Sequence, residues 1–327
     1  MKKYKVLIVG LGSIGKRHAR LLQEISESQI YVLEQRDFGP EDYSCVEEYC
    51  YSWDDLKAKD LGFAVICNPT VFHVETALIL AKNNIPFLME KPVCTTLENT
   101  SRLIEIVNAK QLPVLVGFYL RHHYLYKRIK EIQKSGQMGK LLSTFVETGQ
   151  YLPEWRDYDY TKSVSAHKEM GGGVIFDLTH ELDLAFDLSG EVGNLHCFKD
   201  KVTGLKIDTE DIAEITLSHK NGSISHIHLD YIQKEYTRKF KLIFENGEIF
   251  WDYAKGKIRI TGQHEAEILQ PKDYSRDDIF RSQYEHWFHV LERKESPLVS
   301  LESGIYVSKL AISAHQSSEK KQWITLL

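Results

Sequence analysis

Gly10-Leu11-Gly12-Ser13-Ile14-Gly15 spaces three glycines so that a strand can turn sharply into a helix while backbone N–H groups stay exposed to an anion. The first glycine permits the tight turn, the second lets the backbone approach a pyrophosphate, and the third allows close packing of helix on strand. Glu34 follows Gly15 by 19 residues, where a carboxylate can hydrogen-bond a ribose diol and repel a 2'-phosphate, which favours NAD. Arg36 can stack on adenine or hold a 2'-phosphate, so NADP stays open; a solvated loop arginine is the plainer alternative. The bland alternative for the whole motif is a chance glycine turn at a strand end.

Two further groups follow apolar runs of strand length. Asn68-Pro69-Thr70, with His73 three residues on, comes after Phe63 to Cys67, and Glu90-Lys91-Pro92 comes after Phe87 to Met89. Both belong at the C-terminal edge of a parallel sheet, beside a bound nucleotide. With the glycine turn, Cys67-Asn68-Pro69-x-x-x-His73 and Glu90-Lys91-Pro92 make the chain resemble the glucose-fructose oxidoreductase / inositol dehydrogenase (Gfo/Idh/MocA) family. Gly171-Gly172-Gly173-Val174-Ile175-Phe176-Asp177, followed by His180 and Asp183, resembles that family's glycine-rich entry to its catalytic helix, and Pro297-Leu298-Val299-Ser300 resembles its C-terminal end. The resemblance implies a Rossmann domain followed by an open-faced sheet domain, catalytic Lys91 and His180 assisted by Asp177, and a cis Lys91-Pro92 bond.

The residue chemistry agrees. Hydride transfer from a secondary alcohol needs a group that removes the hydroxyl proton and a charge that steadies the developing oxyanion. His180 is assigned as general base or acid, Lys91 as electrostatic and proton-relay partner, and Asp177 as orienter; histidine and lysine can exchange these tasks. If Asp177 begins a helix, His180 lies one turn later on the same face. The family pattern has three residues between aspartate and histidine, whereas only Leu178 and Thr179 stand here. The structural alternatives are a helix-capping Asp177, a satisfied core His180 and a solvated Lys91.

For a substrate, Tyr119-Leu120-Arg121-His122-His123-Tyr124 follows the fifth strand, and Gln150 to Tyr160 forms an aromatic, charged loop. Aromatic planes suit sugar C–H faces, and arginine can hold a carboxylate or phosphate with two bonds. Trp155 and Arg156 are the leading substrate candidates, with Arg121 and Lys168 behind them; ordinary packing or a solvated loop is the competing reading. Arg156 raises an acidic or nucleotide-linked sugar. His226-Ile227-His228-Leu229-Asp230 places two histidines and an aspartate on one strand face, superficially like a metal site, but no metal is expected.

These groups need a scaffold that aligns strand ends. Residues 4 to 117 alternate short apolar runs with amphipathic ones, the pattern of an α/β doubly wound parallel sheet, with strands at Tyr4 to Val9, Ile30 to Glu34, Phe63 to Cys67, Phe87 to Met89 and Val114 to Gly117. Helices are expected at Ser13 to Ile25, after a Thr70 cap, and over Leu97 to Ala109 behind a Thr95/Glu98 capping box. From residue 121 the turns Asn221-Gly222 and Asn246-Gly247, set among runs of strand length, indicate an α+β domain with an open, mostly antiparallel sheet. Asp277 to Glu292 and Leu301 to Ser317 close the chain as helices. The expected domains are 1–120, binding the dinucleotide, and 121–327, binding substrate and pairing copies of the chain.

The 327 residues carry a formal charge of -5, with 43% hydrophobic and 27% charged residues, which suits two folded domains and offers no basic stripe for nucleic acid. The apolar run near Val9 is too short for a signal peptide, and no stretch approaches the roughly 20 apolar residues of a membrane span. Cys45, Cys50, Cys67, Cys94 and Cys197 are scattered and suggest free thiols in a reducing compartment. The expectation is a cytoplasmic NAD-dependent oxidoreductase acting on a sugar, cyclitol or nucleotide-linked sugar, assembled as a homodimer or homotetramer through its C-terminal sheet. A reductase of C=C or C=N bonds, cofactor-assisted glycoside cleavage and a non-catalytic nucleotide sensor are the alternatives.

Overall fold

Short runs of β-branched and aromatic residues form the first sheet of the computed structural model, which describes residues 3–34, 43–56, 59–262 and 265–326. The elements are β1 (Lys5–Val9), α1 (Ser13–Ile25), β2 (Gln29–Leu33), β3 (Glu48–Cys50), β4 (Phe63–Ile66), α2 (His73–Lys82), β5 (Phe87–Met89), α3 (Thr100–Ala109) and β6 (Val114–Val116). All six strands pair in parallel in the order β3-β2-β1-β4-β5-β6. Succession reverses between β1 and β4, and ligands of such sheets sit outside the strand ends at that reversal. β4, β5 and β6 are buried along their whole length, as strands covered on both faces must be.

Local signals misplace two helix starts. Asn99, in a left-handed conformation with φ 60°, precedes α3, so Thr95 and Glu98 lie upstream of the helix. Thr70 opens a single 3-10 turn, Thr70–Phe72, and α2 begins at His73 with no side-chain cap from Thr70. β3 is a strand that the periodicity of its three residues does not reveal; pairing with β2 defines it.

The second sheet is built from residues beyond 120. α4 (Tyr124–Ser135) leads to β7 (Leu141–Gly149), then α5 (Val174–Asp177), α6 (Thr179–Ser189), β8 (Val192–Asp200), β9 (Ile212–His219), β10 (Ile224–Asp230), β11 (Thr237–Phe244), β12 (Gly247–Asp252), β13 (Lys257–Gly262) and β14 (Ala266–Leu269). α7 (Arg276–Leu291), α8 (Leu301–Lys320) and β15 (Ile324–Thr325) complete the chain. The nine strands run β14-β13-β12-β11-β7-β10-β9-β8-β15, antiparallel except for the parallel pair β7 and β10. One face buries Val146, Ile215, Leu217, Ile227, Leu229 and Leu242, and α6 packs along β7 and β10. The other face carries His226, Phe145, Lys241 and Phe250 in register across four strands.

The chain divides into two compact units, 1–119 with 276–305 and 120–275 with 306–327. The boundary near residue 120 is thus only the first crossing, because α7 returns to the first unit. Its aromatic ridge explains the return: Trp287 meets Phe63 edge-on at 5.7 Å, and Phe288 stacks on Tyr4 at 5.4 Å. No helix among the described residues is long and apolar enough to cross a membrane. Trp287 is wholly buried, so Trp287→Ala is expected to remove about 3–5 kcal/mol of unfolding free energy, read by chemical denaturation. Trp323→Ala, at a largely exposed ring, serves as the control and should leave the transition close to that of the parent.

Candidate active site

In the first unit the glycine turn has the geometry its letters imply. Gly10 sits at φ +89°, and a Cβ there would lie 2.8 Å from the Asn68 backbone. A Cβ on Gly15 would lie 2.1 Å from the Gly10 carbonyl oxygen, so only glycine lets α1 start against β1. Nothing lies within 4 Å of the Cβ position at Gly12. Ser13 is exposed and Ile14 half-buried at the first turn of α1, whose free N–H groups favour phosphate. Glu34, just past β2, accepts a hydrogen bond from the Leu11 N–H at 3.0 Å, which draws its carboxylate to the turn.

Asn68 donates through Nδ2 to Thr76 Oγ1 at 2.9 Å, while its Oδ1 is buried without a hydrogen-bond partner, an acceptor suited to a ligand hydroxyl or amide. The open backbone at Gly12 and this orphan acceptor fit a dinucleotide. Pro69 is half-buried and Thr70 buried beside Asn68. Arg36 lies outside the described residues.

Lys91 is half-buried after β5, and its bond to Pro92 is cis, as the resemblance implies. The Lys91 N–H donates to Glu90 Oε2 at 3.3 Å, and His18 Nε2 donates to Glu90 Oε1 at 3.0 Å. Burial pushes the Glu90 carboxyl up, but the hydrogen bond and charge of His18, with help from Lys91, hold it below the usual range. His73 is buried, with Nδ1 2.9 Å from the Pro92 carbonyl and Nε2 2.8 Å from the Asn68 carbonyl. Burial pulls its pKa down against those two carbonyls. Glu90 and His73, expected to touch the cofactor, thus spend their polar atoms on the protein: they tie the Lys91 loop to α1 and to the Asn68 loop.

In the second unit α5 ends at Asp177, and Leu178 breaks the helix with φ -105° and ψ 36° before α6 starts at Thr179. Asp177 therefore ends one helix and His180 lies in the first turn of the next, which overturns the expected single face one turn apart. Asp177 Oδ2 accepts from Tyr231 Oη at 2.6 Å. Burial, then the Asp177 charge, pushes the Tyr231 hydroxyl well above its usual range. Trp155 stands edge-on to Tyr231 at 5.2 Å and donates through Nε1 to the Gln150 carbonyl at 3.0 Å. The Arg156 guanidinium lies 5.9 Å from the Trp155 ring and 5.8 Å from Tyr158, and meets Ser165 Oγ only at 3.5 Å. Asp177, Trp155 and Arg156 thus gather around Tyr231, and His180 is buried in the first turn of α6.

Arg121 requires correction as a substrate residue. It is buried, holds Asp183 through Nε and Nη2 at 2.8 and 2.7 Å, and reaches Asp187 at 2.7 Å. Burial opposes its charge, and the two aspartates outweigh burial, so its pKa stands above the usual arginine value. Its role is to fix α6. Lys168 is exposed, with its backbone N–H on Asp208 at 2.6 Å. His226 stacks on Phe145, whereas His228 bridges Glu214 and Asp230, so the two histidines take separate partners. The Asp230 bond, against burial and with help from Glu214, pushes His228 up to about 9.

Tyr231, His18 and Glu210 escaped the sequence reading. Glu210 is buried against Gly173 and accepts from the Ile175 N–H at 3.2 Å. Only His18 had a local signal: it lies three residues after Gly15 and four before Leu22, on the inner face of α1, where an imidazole needs a buried partner.

Residues 4–118 match the oxidoreductase family described as an NAD-binding Rossmann fold, and residues 126–250 match the GFO/IDH/MocA C-terminal domain. The chain belongs to the Gfo/Idh/MocA oxidoreductase family. Its cofactor is NAD. Relatives include myo-inositol 2-dehydrogenase of Thermotoga maritima, 23% identical over 98% of both chains, and D-apiose dehydrogenase of Rhizobium rhizogenes, 25% identical over 67% of this chain and 61% of that one. The fold matches levoglucosan dehydrogenase in complex with NADH, with a TM-score of 0.89 and 16% identity over the full length of both chains.

A buried ion pair that loses one partner leaves an uncompensated charge. Arg121→Ala is therefore expected to cost roughly 3–5 kcal/mol of stability, read by urea unfolding. A substrate contact would instead leave stability intact and raise KM.

Proposed function

We propose that this Gfo/Idh/MocA protein transfers a hydride between NAD and a hydroxyl or keto carbon of a sugar-like substrate. The observation that carries this reading is the His73 bridge, which ties the loop bearing Lys91 to the loop bearing the unfilled Asn68 acceptor. A lysine fixed beside a dinucleotide suits reaction at the carbon facing the nicotinamide. Dehydrogenases of inositol and apiose among the relatives support a polyhydroxylated substrate.

NAD, when bound, supplies the two-electron acceptor or donor. In this reading the Lys91 ammonium steadies the oxyanion that develops at the reacting carbon, and His180 takes or returns the hydroxyl proton. Asp177, held by Tyr231 rather than by a helical turn shared with His180, faces the substrate as an acceptor. Trp155 offers a plane to the sugar ring. Arg156, whose nearest polar contact is the long one to Ser165, suits a substrate carboxylate or phosphate, which points to an acidic or nucleotide-linked sugar.

The test is a panel of neutral, acidic and nucleotide-linked sugars with NAD, followed by nicotinamide absorbance. Lys91→Ala and His180→Ala should each lower kcat/KM by roughly 10²–10⁴. Arg156→Ala should raise KM for acidic substrates and leave neutral ones unchanged. Unchanged turnover in both the Lys91 and His180 variants overturns the assignment, and product formed without net change in nicotinamide indicates cofactor-assisted cleavage instead.

We further propose that the second sheet's outer face pairs with another copy of this chain. Phe145 and Phe198 are 44% and 58% exposed on that face, more apolar surface than a solvated sheet needs. Light scattering on Phe145→Asp with Phe198→Asp should show a smaller particle than the parent; an unchanged mass rejects this interface.

A further inference from the structure

An imidazole whose two ring nitrogens both face carboxylate oxygens must donate twice, and only the imidazolium carries two N–H groups. His228 of β10 is such a ring: Nδ1 lies 2.5 Å from Glu214 Oε1 and Nε2 lies 2.8 Å from Asp230 Oδ2. It stands opposite Glu214 of β9 and Glu147 of β7, and Lys239 of β11 stands opposite Glu147 in turn. Gln233 Nε2 closes the group, donating to Asp230 Oδ2 at 2.7 Å and to Glu147 Oε1 at 3.3 Å. The room for it exists because residue 149 is glycine: a Cβ there would stand 2.4 Å from Gln233 Nε2 and 2.5 Å from Asp230 Oδ2.

Asp230, 2% exposed, passes this anchorage to the chain beyond β10. Its Oδ1 accepts from the N–H groups of Ile232 and Gln233 at 2.6 and 2.8 Å, which fixes the turn that contains Tyr231. Tyr231 Oη then donates to Asp177. The Asp230 carbonyl accepts from the Gln150 N–H at 3.2 Å, and the Gln150 carbonyl holds the Trp155 indole. Two short paths therefore lead from one imidazolium to the two side chains read above as meeting the substrate. Every member lies in the second unit.

We propose that His228 and Asp230 are positioning residues for substrate: the bridging histidine holds the Asp230 carboxylate, and that carboxylate locks the turn that aims Tyr231 at Asp177 and supports Trp155. The inference rests on the proposed substrate roles of Asp177 and Trp155 and adds what keeps them in place.

The groups facing the ring are Glu214 from β9, Glu147 from β7 with Lys239 of β11 beyond it, and Asp230 of its own strand with Gln233 after it. Three carboxylates thus surround one imidazolium. The Asp230 bond, against burial and with help from Glu214, raises His228 to about 9 from an ordinary value near 6.5. Its hold is complete below the ordinary value and is lost as pH rises through about 9. Burial pushes Asp230 up, but the bonds from His228 and Gln233 keep it below the usual carboxylate range. Burial also keeps the Tyr231 hydroxyl protonated across that window, so His228 is the group whose charge changes.

The test follows two side chains of the full-length protein by NMR across a pH series: the ¹⁵N-labelled His228 ring and the Trp155 indole N–H, assigned by their loss in His228→Gln and Trp155→Phe. In the parent the ring should titrate near pH 9, and the indole resonance should move with the same midpoint. In His228→Gln, and in Asp230→Asn, which keeps the shape and removes the charge, that indole movement should be absent. A parent indole that ignores the His228 titration overturns the inference even if both variants fail to fold, and so does an indole that moves as before in folded His228→Gln. Turnover reads the consequence separately. KM for the sugar should rise roughly three- to tenfold above the His228 midpoint, with kcat changing less, and His228→Gln should show the raised KM already at neutral pH. Coupled titration with an unmoved KM removes the substrate roles of Asp177 and Trp155 and leaves the positioning chain. A raised KM in His228→Gln accompanied by a smaller particle in light scattering assigns the effect to contact between copies and overturns the inference.

Discussion

The approach of α1 to β1 at the Gly15 contact is the constraint on which the first unit depends. With no Cβ between that helix and the Gly10 carbonyl, the first turn of α1 starts directly at the strand end, and its N–H groups open onto the edge where β4 and β5 also finish. The same approach carries His18 inward to Glu90 and brings the Leu11 N–H to Glu34. One missing methyl group thus sets both where the first turn of α1 opens and the buried polar contact of His18 with Glu90.

What could be read from the sequence was what is local. The apolar runs of β1, β4, β5 and β6 and the Asn-Gly turns carry their information within a few residues. β3 has only Glu48, Tyr49 and Cys50 and exists because β2 offers it an edge. The helix break at Leu178 has no proline or glycine to announce it, and so Asp177 and His180 were joined on a face they do not share. The return of α7 follows from Trp287 and Phe288 meeting Phe63 and Tyr4, a contact across more than two hundred residues that no local window contains.

The two arginines show why residue type alone misleads at a site. Arg121 and Arg156 both stood in polar, aromatic segments after strands. Arg121 is enclosed by Asp183 and Asp187, which consume its charge. Arg156 has aromatic rings at its sides and a hydroxyl at 3.5 Å, which leave its charge available. The difference lies in whether acidic side chains of α6 reach the guanidinium, a matter of helix phase and not of composition.

β7 and β10 lie side by side in parallel, though residues 150–223 separate them. That excursion contains Trp155, Arg156, Lys168, Asp177 and His180, and its two ends are pinned by adjacent strands. Surface connections between fixed elements tolerate insertion and substitution far better than the elements themselves. The architecture therefore separates heritable change in what is recognised from change in what must fold: mutations can accumulate along residues 150–173, which carry Trp155, Arg156 and Lys168, while α6, β8 and β9 later in the same excursion hold the sheet together. A lineage built this way can diversify its diet of small molecules without reinventing its sheet.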